Sequence, residues 1–369
     1  MTPHMTPLFL HEEHQSKGAR FQPVNRVEMV SHYGDPVAEY AALRGTAGLV
    51  DLSGRGRLAV TGGDRQRFVN GQVTNNVKDL LAGEGCYAAV VDAKGKLHGD
   101  VNIFCLAEEL LLDCEPGHGP GIAARLEQFI IADDVQVMEI NDEYGLLSVQ
   151  GPQCATVLDR AFPGRSLPER AWGAKVWPGD DGEICVTNLS RAGVPGLELF
   201  VPRSGMREAW NRLADRVTAV NGRLCGWECL EWARIEAGLP RYGQDMDDRN
   251  LAPEAGIEER AISYTKGCYI GQEIISRIRT VGRVNRSLRG LALEDSREPL
   301  PRNGDRLTHR GREVGYITSA IHSPALGRPI ALGYVRRGIE EPEVELELEV
   351  QTEAGPRIAR LRALPFVEG

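Results

Sequence analysis

The sequence changes character near residue 285, and this change is the strongest constraint on its fold. From Leu288 onward, short strand-like segments follow one another, and residues 344–350 alternate an aliphatic residue with a glutamate at a strict period of two. Such alternation is typical of an antiparallel sheet with one buried and one solvated face. Residues 285–369 are therefore predicted to form an all-β, barrel-like domain.

Helical and strand-like patterns are mixed in the part of the chain before this change. Residues 36–49 and 204–217 carry apolar residues at helical spacing. Residues 87–104 form two strand-like segments around a turn, and Asp100 lies just inside the second of them. These patterns predict an α+β region over residues 28–284.

The N-terminal residues 1–27 are polar and lack a clear periodicity. This predicts an extended, solvated arm. His11 and His14 do not have the i, i+4 spacing that places two imidazoles on one face of a helix, so no metal site is predicted there.

The composition excludes several classes of protein. Lys and Arg number 43 and Asp and Glu number 52, and the net charge of −9 argues against nonspecific coating of nucleic acid or of an anionic membrane. A hydrophobic content of 42% and a charged content of 26% are ordinary for a globular protein. Eight cysteines without a C-x-x-C pair, and no recognisable secretory segment, predict a reduced, cytoplasmic protein.

The densest group of chemically useful side chains is K-G-C-Y-I-G-Q-E at residues 266–273. A thiol beside an ammonium group is favoured as the thiolate, which is the nucleophilic and metal-binding form. Cys268 and Lys266 are thus candidates for a reactive pair. The alternative is that Cys268 is a small buried residue in a turn, as many cysteines are.

A run of five arginines follows this motif without an intervening acidic residue. They are Arg277, Arg279, Arg283, Arg286 and Arg289. Guanidinium groups suit carboxylates and phosphates, so the run is a candidate site for an oligoanionic ligand. The alternative is a solvated strand face that pairs with the glutamates of residues 340–349.

Two consecutive motifs connect the chain to a known family. The sequence R-I-E-A-G-L-P at residues 234–240, followed by Y-G-Q-D-M-D at residues 242–247, resembles the aminomethyltransferase (glycine cleavage T-protein, GcvT-like) superfamily. Shorter matches extend this resemblance over nearly the whole chain from Tyr33; they lie at residues 39–44, 48–53, 71–75, 95–100 and 149–152. Within the superfamily, residues 266–273 resemble the signature of the YgfZ-type folate-binding proteins, which are linked to iron–sulfur cluster maintenance.

The resemblance implies a three-domain cloverleaf, in which residues 28–284 form two interleaved α+β domains and residues 285–369 form the barrel. It also implies a central channel for tetrahydrofolate or a one-carbon derivative. Asp100 matches the acid that faces the reactive nitrogen region of the folate, where a carboxylate can hold a cationic amine or relay a proton. Arg234 matches an arginine of the folate site; the alternatives are a turn-bonding Asp100 and an Arg234 paired with Glu231.

One departure from the transferase pattern concerns residues 191–198, which lack about three residues, including the glutamate that bonds the pterin ring. A thiol, Cys268, also appears where transferase chemistry needs none. These departures favour a tetrahydrofolate-binding accessory protein of iron–sulfur cluster assembly or repair, with iron–sulfur proteins or assembly factors as its partners. The first alternative is an aminomethyltransferase that transfers a one-carbon unit to tetrahydrofolate. The second is a nonenzymatic RNA or protein adaptor.

The predicted site therefore combines two sets of residues. Cys268, Lys266 and Asp100 are the candidate catalytic groups. The candidate folate-binding residues are Asp100, Arg234, Tyr87, Tyr269, Gln272 and Glu273. A monomer with no membrane association and no resident metal is expected.

Overall fold

A computed structural model of the chain describes residues 6–179, 182–280, 282, 284–339 and 346–368. Its helices are α1 (His11–Ser16), α2 (Pro36–Gly45), α3 (Arg65–Gln72), α4 (Gly119–Glu127), α5 (Cys154–Ala161), α6 (Met206–Ala219), α7 (Trp227–Glu236), α8 (Glu258–Ala261) and α9 (Gln272–Thr280). Across these described ranges, no helix has the length and apolar character that crossing a membrane requires.

The strands are distributed over the whole chain. They are β1 (Arg20–Val24), β2 (Val27–His32), β3 (Gly48–Asp51), β4 (Gly56–Thr61), β5 (Gly85–Val91), β6 (Leu97–Cys105), β7 (Glu109–Cys114), β8 (Gln136–Glu139), β9 (Tyr144–Gln150), β10 (Ala174–Trp177), β11 (Ile184–Asn188), β12 (Gly196–Pro202), β13 (Arg223–Leu224), β14 (Arg286–Leu293), β15 (Arg306–His309), β16 (Arg312–Ser323), β17 (Arg328–Arg336), β18 (Glu347–Thr352) and β19 (Gly355–Arg362).

Three larger sheets define three parts of the molecule. One is five-stranded, in the order β5-β6-β7-β4-β8, and the second is six-stranded, in the order β10-β11-β12-β9-β3-β13. The third is a closed six-stranded barrel of β14 to β19. The predicted α+β class and the C-terminal barrel are thus confirmed, as is the hairpin that carries Asp100, which β5 and β6 form.

Each of the two open sheets packs against its own pair of helices. Helices α3 and α4 cover the five-stranded sheet with buried residues that include Phe68 and Leu126. Helices α5 and α6 cover the six-stranded sheet, and Val157, Trp210 and Leu213 are fully buried there. Burial of a large apolar side chain stabilises a fold by about 1.5–3 kcal/mol, so these faces hold each lobe together.

Helix α7 lies at the junction of the three parts. Its apolar residues, such as Leu230 and Ala233, belong to a core that also contains Phe104 of one open sheet and Phe200 of the other. The helix ends before Gly238, whose φ of +68° is the left-handed conformation that favours glycine after a helix. Side chains that project from α7 therefore face all three parts at once.

The N-terminal segment differs from the solvated arm predicted for residues 1–27. Over the described residues 6–27 it contains α1 and β1, and Leu10 is 1% exposed. The His14 side chain is fully buried: its Nε2 lies 2.8 Å from Asp51, and its ring packs edge-on against Trp210. These long-range partners hold the segment, and a local polarity pattern does not reveal them.

Candidate functional site

A cavity opens where the five-stranded sheet, α7 and the loop after β11 meet. Its polar lining residues include Asp100, Asn102, Glu115, Arg191 and Arg234. Aromatic lining comes from Tyr87, Trp172 and Trp227. A concave space with a few charged groups on rigid elements is typical of a small-molecule site.

Asp100 is held in place by the neighbouring strand. The Tyr87 hydroxyl donates a hydrogen bond of 2.7 Å to Asp100 Oδ2, whereas Oδ1 is buried without a hydrogen-bond partner. Burial and the nearby charge of Glu115 raise the pKa of Asp100 to about 6. A carboxyl group with a pKa in this range can accept or release a proton near neutral pH.

Further polar residues lie on the same face of this sheet. Asn102 of β6 is paired with Asp113 of β7, and the Asn102 amide donates to Asp113 at 3.0 Å. The Trp172 indole N–H donates to the side-chain oxygen Oδ1 of Asn102 at 2.9 Å. Asp100 and Glu115 each lie two positions further along these strands, so they share the cavity side with the Asn102–Asp113 pair.

Two arginines, the buried Arg55 and the partly buried Arg191, neutralise part of this acidic face. Arg55 donates to Asp113 at 2.7 Å and to Glu115 at 2.6 Å. Arg191 bonds to Glu198 at 2.8 Å and to Asp113 at 2.7 Å. Burial opposes ionisation of Asp113, but the two guanidinium groups outweigh it and hold the pKa of Asp113 well below its usual range. In this structure, the segment that departs from the transferase pattern thus contributes a cation to the cavity wall.

Arg234 lines the cavity as predicted, but its guanidinium group is engaged by protein groups. It bonds to both carboxylate oxygens of Glu231, at 3.1 and 2.8 Å, and to Asp245. It also donates to Ser319 of the barrel at 3.2 Å. The Glu231 pairing, which was the alternative to a folate contact, is therefore present. Arg234 also joins α7 to the barrel, and its protein partners would compete with a ligand carboxylate.

The predicted reactive pair of Cys268 and Lys266 is not supported by the geometry. The Lys266 ammonium group is buried and donates to the backbone carbonyls of Asn70, Val73 and Asn75 at 2.5, 2.8 and 2.6 Å. Burial lowers the pKa of Lys266 to about 8. Because all three donors are used within the protein, Lys266 secures the end of α3 instead of activating a thiol.

Cys268 is exposed, in contrast to the buried cysteine of the alternative interpretation, and it does not line the cavity that contains Asp100. Cys225, which precedes α7, and Cys229, which lies on it, are both buried. Within the described ranges, no group of three or more His, Cys, Asp and Glu side chains is arranged to hold a metal ion.

The remaining residues of the 266–273 motif support the hairpin that carries Asp100. Tyr269 is buried in a cluster with Tyr87, and Gln272 and Glu273 begin α9. Gly271 has a φ of +83°, and a Cβ there would lie 2.4 Å from the carbonyl oxygen of Asp92 in the hairpin turn. Tyr269, Gln272 and Glu273 are absent from the lining of the Asp100 cavity, so their predicted contact with folate stays a prediction.

The arginine run is divided between two elements. Arg277 and Arg279 lie on α9, whereas Arg286 and Arg289 lie on β14. Arg283 falls outside the described residues. Arg286 is 3.4 Å from Glu254 and lies over the rings of two barrel tyrosines, Tyr316 and Tyr334. Arg286 therefore has partners within the fold, and the oligoanion site stays a prediction.

Sequence reasoning missed the acidic face formed by Asp113 and Glu115 and its partner Arg55. A signal for it exists in the sequence. The apolar residues 110–112 of β7 are followed by acids at two alternating positions, Asp113 and Glu115, which share one face if the extended backbone continues. Extending the hairpin register from Asp100 would have placed these acids beside it.

Comparison with known proteins relates nearly the whole chain to one family. The GCVT N-terminal domain matches residues 10–266, and the glycine cleavage T-protein C-terminal barrel domain matches residues 286–368. An aminomethyltransferase of Rubrobacter xylanophilus is 30% identical over 98% of this chain and 93% of its own length. One from Saccharopolyspora erythraea is 29% identical over 99% of this chain and 98% of its own.

A solved structure shows the same fold. The glycine cleavage system aminomethyltransferase T of Bartonella henselae matches with a TM-score of 0.88 and covers 99% of this chain and 98% of that one. The two sequences are 24% identical.

Proposed function

The chain belongs to the glycine cleavage T-protein family, and from this premise we propose that it is an aminomethyltransferase. Aminomethyltransferases of this family use tetrahydrofolate as a substrate or cofactor. The proposed reaction takes an S-bound aminomethyl group from a carrier protein's lipoyl arm. Its carbon passes to tetrahydrofolate, so that methylenetetrahydrofolate, ammonia and the free lipoyl thiol are formed.

Asp100 is the single observation that carries this proposal. It lines the cavity, the Tyr87 hydroxyl orients one of its oxygens, and the other oxygen is buried without a hydrogen-bond partner. A carboxylate in this setting stabilises the positive charge on the transferred amine or iminium and can move a proton between nitrogen atoms. The departure at residues 191–198 leaves this acid in place.

The test is a direct assay of the reaction. Purified protein, aminomethylated lipoyl carrier and tetrahydrofolate are mixed, and ammonia and methylenetetrahydrofolate are measured together. Wild type is expected to form both products in equal amounts. The Asp100→Asn variant should form them about 100-fold or more slowly, as expected when a general acid–base group is removed. Asp159→Asn, on the exposed face of α5, is the matched control and should keep full activity. Absence of ammonia release by the wild type would overturn the proposal.

A second candidate function rests on a separate observation, the exposed thiol of Cys268 in the YgfZ-like motif. In this function the protein binds folate and assists iron–sulfur cluster assembly or repair, with Cys268 as the contact to the cluster or its partner. Cells lacking the protein would be complemented with Cys268→Ser, with Cys86→Ser as a control. Full rescue of an iron–sulfur enzyme by Cys268→Ser would exclude this candidate, whereas its loss with an unchanged thermal midpoint would support it.

A further inference from the structure

The cavity contains a second acid, Glu115, that the proposed function does not use. Its Oε1 accepts the hydrogen bond from Arg55, but its Oε2 is buried without a hydrogen-bond partner. The Glu115 residue is 8% exposed and lines the cavity. The Arg241 guanidinium group lies 3.9 Å from Oε2, beyond hydrogen-bond distance, and bonds instead to Glu231.

The strand register brings this free oxygen to the same place as the free oxygen of Asp100. Asn102 pairs with Asp113 across β6 and β7, and Asp100 and Glu115 continue this antiparallel register by two positions. Side chains directly opposite one another on a sheet have Cβ atoms about 4.5–5.5 Å apart. Each residue supplies one carboxylate oxygen that lacks a hydrogen-bond partner, and both residues line the cavity.

Arginines line the cavity around the pair, including Arg241 and Arg260, but none of them donates a hydrogen bond to Asp100 Oδ1 or Glu115 Oε2. Arg55 and Arg191 bond to Asp113, Glu115 and Glu198, but neither bonds to Asp100. Two adjacent buried acids with free oxygens are unfavourable unless a proton or a cation lies between them. A nitrogen that is positively charged and carries hydrogens would satisfy both oxygens through charge-assisted hydrogen bonds.

We propose that Asp100 Oδ1 and Glu115 Oε2 together bind the cationic nitrogen of the transferred aminomethyl group, which makes Glu115 a substrate-binding residue. This inference rests on the proposed function. The site selects a primary ammonium or iminium group, because each carboxylate needs an N–H donor. A quaternary ammonium of the same charge offers none and is rejected.

The test uses methylammonium as the smallest probe of this site. Saturation-transfer NMR would be recorded on wild type with methylammonium chloride, and with tetramethylammonium chloride as the probe that lacks N–H groups. So small a ligand binds weakly, with a dissociation constant on the order of 10 mM. Wild type should give a saturation-transfer signal with methylammonium and none with tetramethylammonium. Addition of tetrahydrofolate and aminomethylated carrier should remove the methylammonium signal.

Variants assign the signal to the two acids. Glu115→Gln and Asp100→Asn should each weaken methylammonium binding by about tenfold, since each removes one charge-assisted contact. Glu127→Gln, on the exposed face of α4, is the matched control and should bind as wild type does. Circular dichroism verifies the fold of each variant. If Glu115→Gln is misfolded, Glu115→Asp, which keeps the charge but withdraws the carboxylate from the cavity, takes its place and should also weaken methylammonium binding.

The outcomes separate this inference from the proposed function. Equal binding of both probes, or an unchanged signal in the acid variants, overturns the two-carboxylate site even if ammonia release is observed. Selective methylammonium binding that depends on both acids supports the site even if the transferase assay fails.

Discussion

The Tyr87 hydroxyl donates a hydrogen bond of 2.7 Å to Oδ2 of Asp100 on the adjacent strand. This bond favours the carboxylate over the carboxylic acid and so opposes the rise in the pKa of Asp100 that burial and Glu115 produce. It also fixes the orientation of the carboxyl group. Tyr87, predicted as a folate contact, is therefore a positioning residue for Asp100 in the structure.

Tyr87→Phe should shift the pH dependence of the proposed reaction. Loss of the hydrogen bond raises the pKa of Asp100 above about 6, so the acidic limb of the rate profile should move to higher pH by up to about one unit. Ammonia release measured from pH 5 to 8 tests this shift. Tyr264→Phe, which removes a tyrosine bond to Glu258 outside the cavity, should leave the profile unchanged.

Asp100→Asn should stabilise the protein at neutral pH while it removes activity. The pKa of Asp100 is raised from 3.8 to about 6 in the folded state. Between about pH 4 and pH 6 the folded state therefore holds a proton that the unfolded state has released. Because of this difference, the stability of the wild type falls as the pH rises through this range. Each pKa unit corresponds to about 1.4 kcal/mol, so the gain in the variant is at most about 3 kcal/mol at pH 7. Urea unfolding should show it at pH 7 and little of it at pH 4. Equal stability of the two proteins at pH 7 would contradict the burial of this charge.

Arg234→Met should destabilise the fold strongly. The substitution leaves Glu231 and Asp245 without the guanidinium group that bonds to both, and removal of one partner from a buried ion pair costs about 3–5 kcal/mol. Arg212→Met is the control, because Arg212 forms an exposed pair with Glu208 within α6 and such pairs contribute about 1 kcal/mol or less. Thermal midpoints of both variants give the comparison, and similar midpoints would show that Arg234 is not structural.

Lys266→Met should destabilise the protein, whereas Cys268→Ser should leave its stability nearly unchanged. Lys266→Met leaves three carbonyl groups without their donor and should cost at least about 3 kcal/mol. Cys268→Ser changes an exposed side chain and should stay within about 0.5 kcal/mol. Denaturant unfolding distinguishes them. A stable Lys266→Met variant that has lost activity would restore the predicted catalytic role of Lys266.

The parts of the structure that local patterns determine were predictable. The strand-like segments of residues 87–104 indicated the hairpin, and the period-two pattern after residue 285 indicated the barrel. Motif resemblance placed Asp100 in the cavity. All of these signals lie within a few residues of the feature they specify.

Long-range polar partners were not predictable in this way. Arg234 meets Asp245, 11 residues away in an irregular loop, and Ser319, which is 85 residues away. Lys266 reaches carbonyl groups more than 190 residues away, so its proximity in sequence to Cys268 was misleading. Hydrogen-bond donors have many chemically equivalent acceptors, and only the packed fold selects among them.

The attachment of α7 to the barrel has a consequence for genetics. The described residues that line the cavity all precede the barrel, yet Ser319 bonds to Arg234, and the backbone N–H of Phe366 donates to the carbonyl of Glu236 at 2.8 Å. A substitution in the barrel can therefore move the helix that shapes the cavity without touching a ligand. A screen for inactive alleles should recover positions on β16 and near the C-terminus as well as positions in the cavity, and suppressors of such alleles should map to α7.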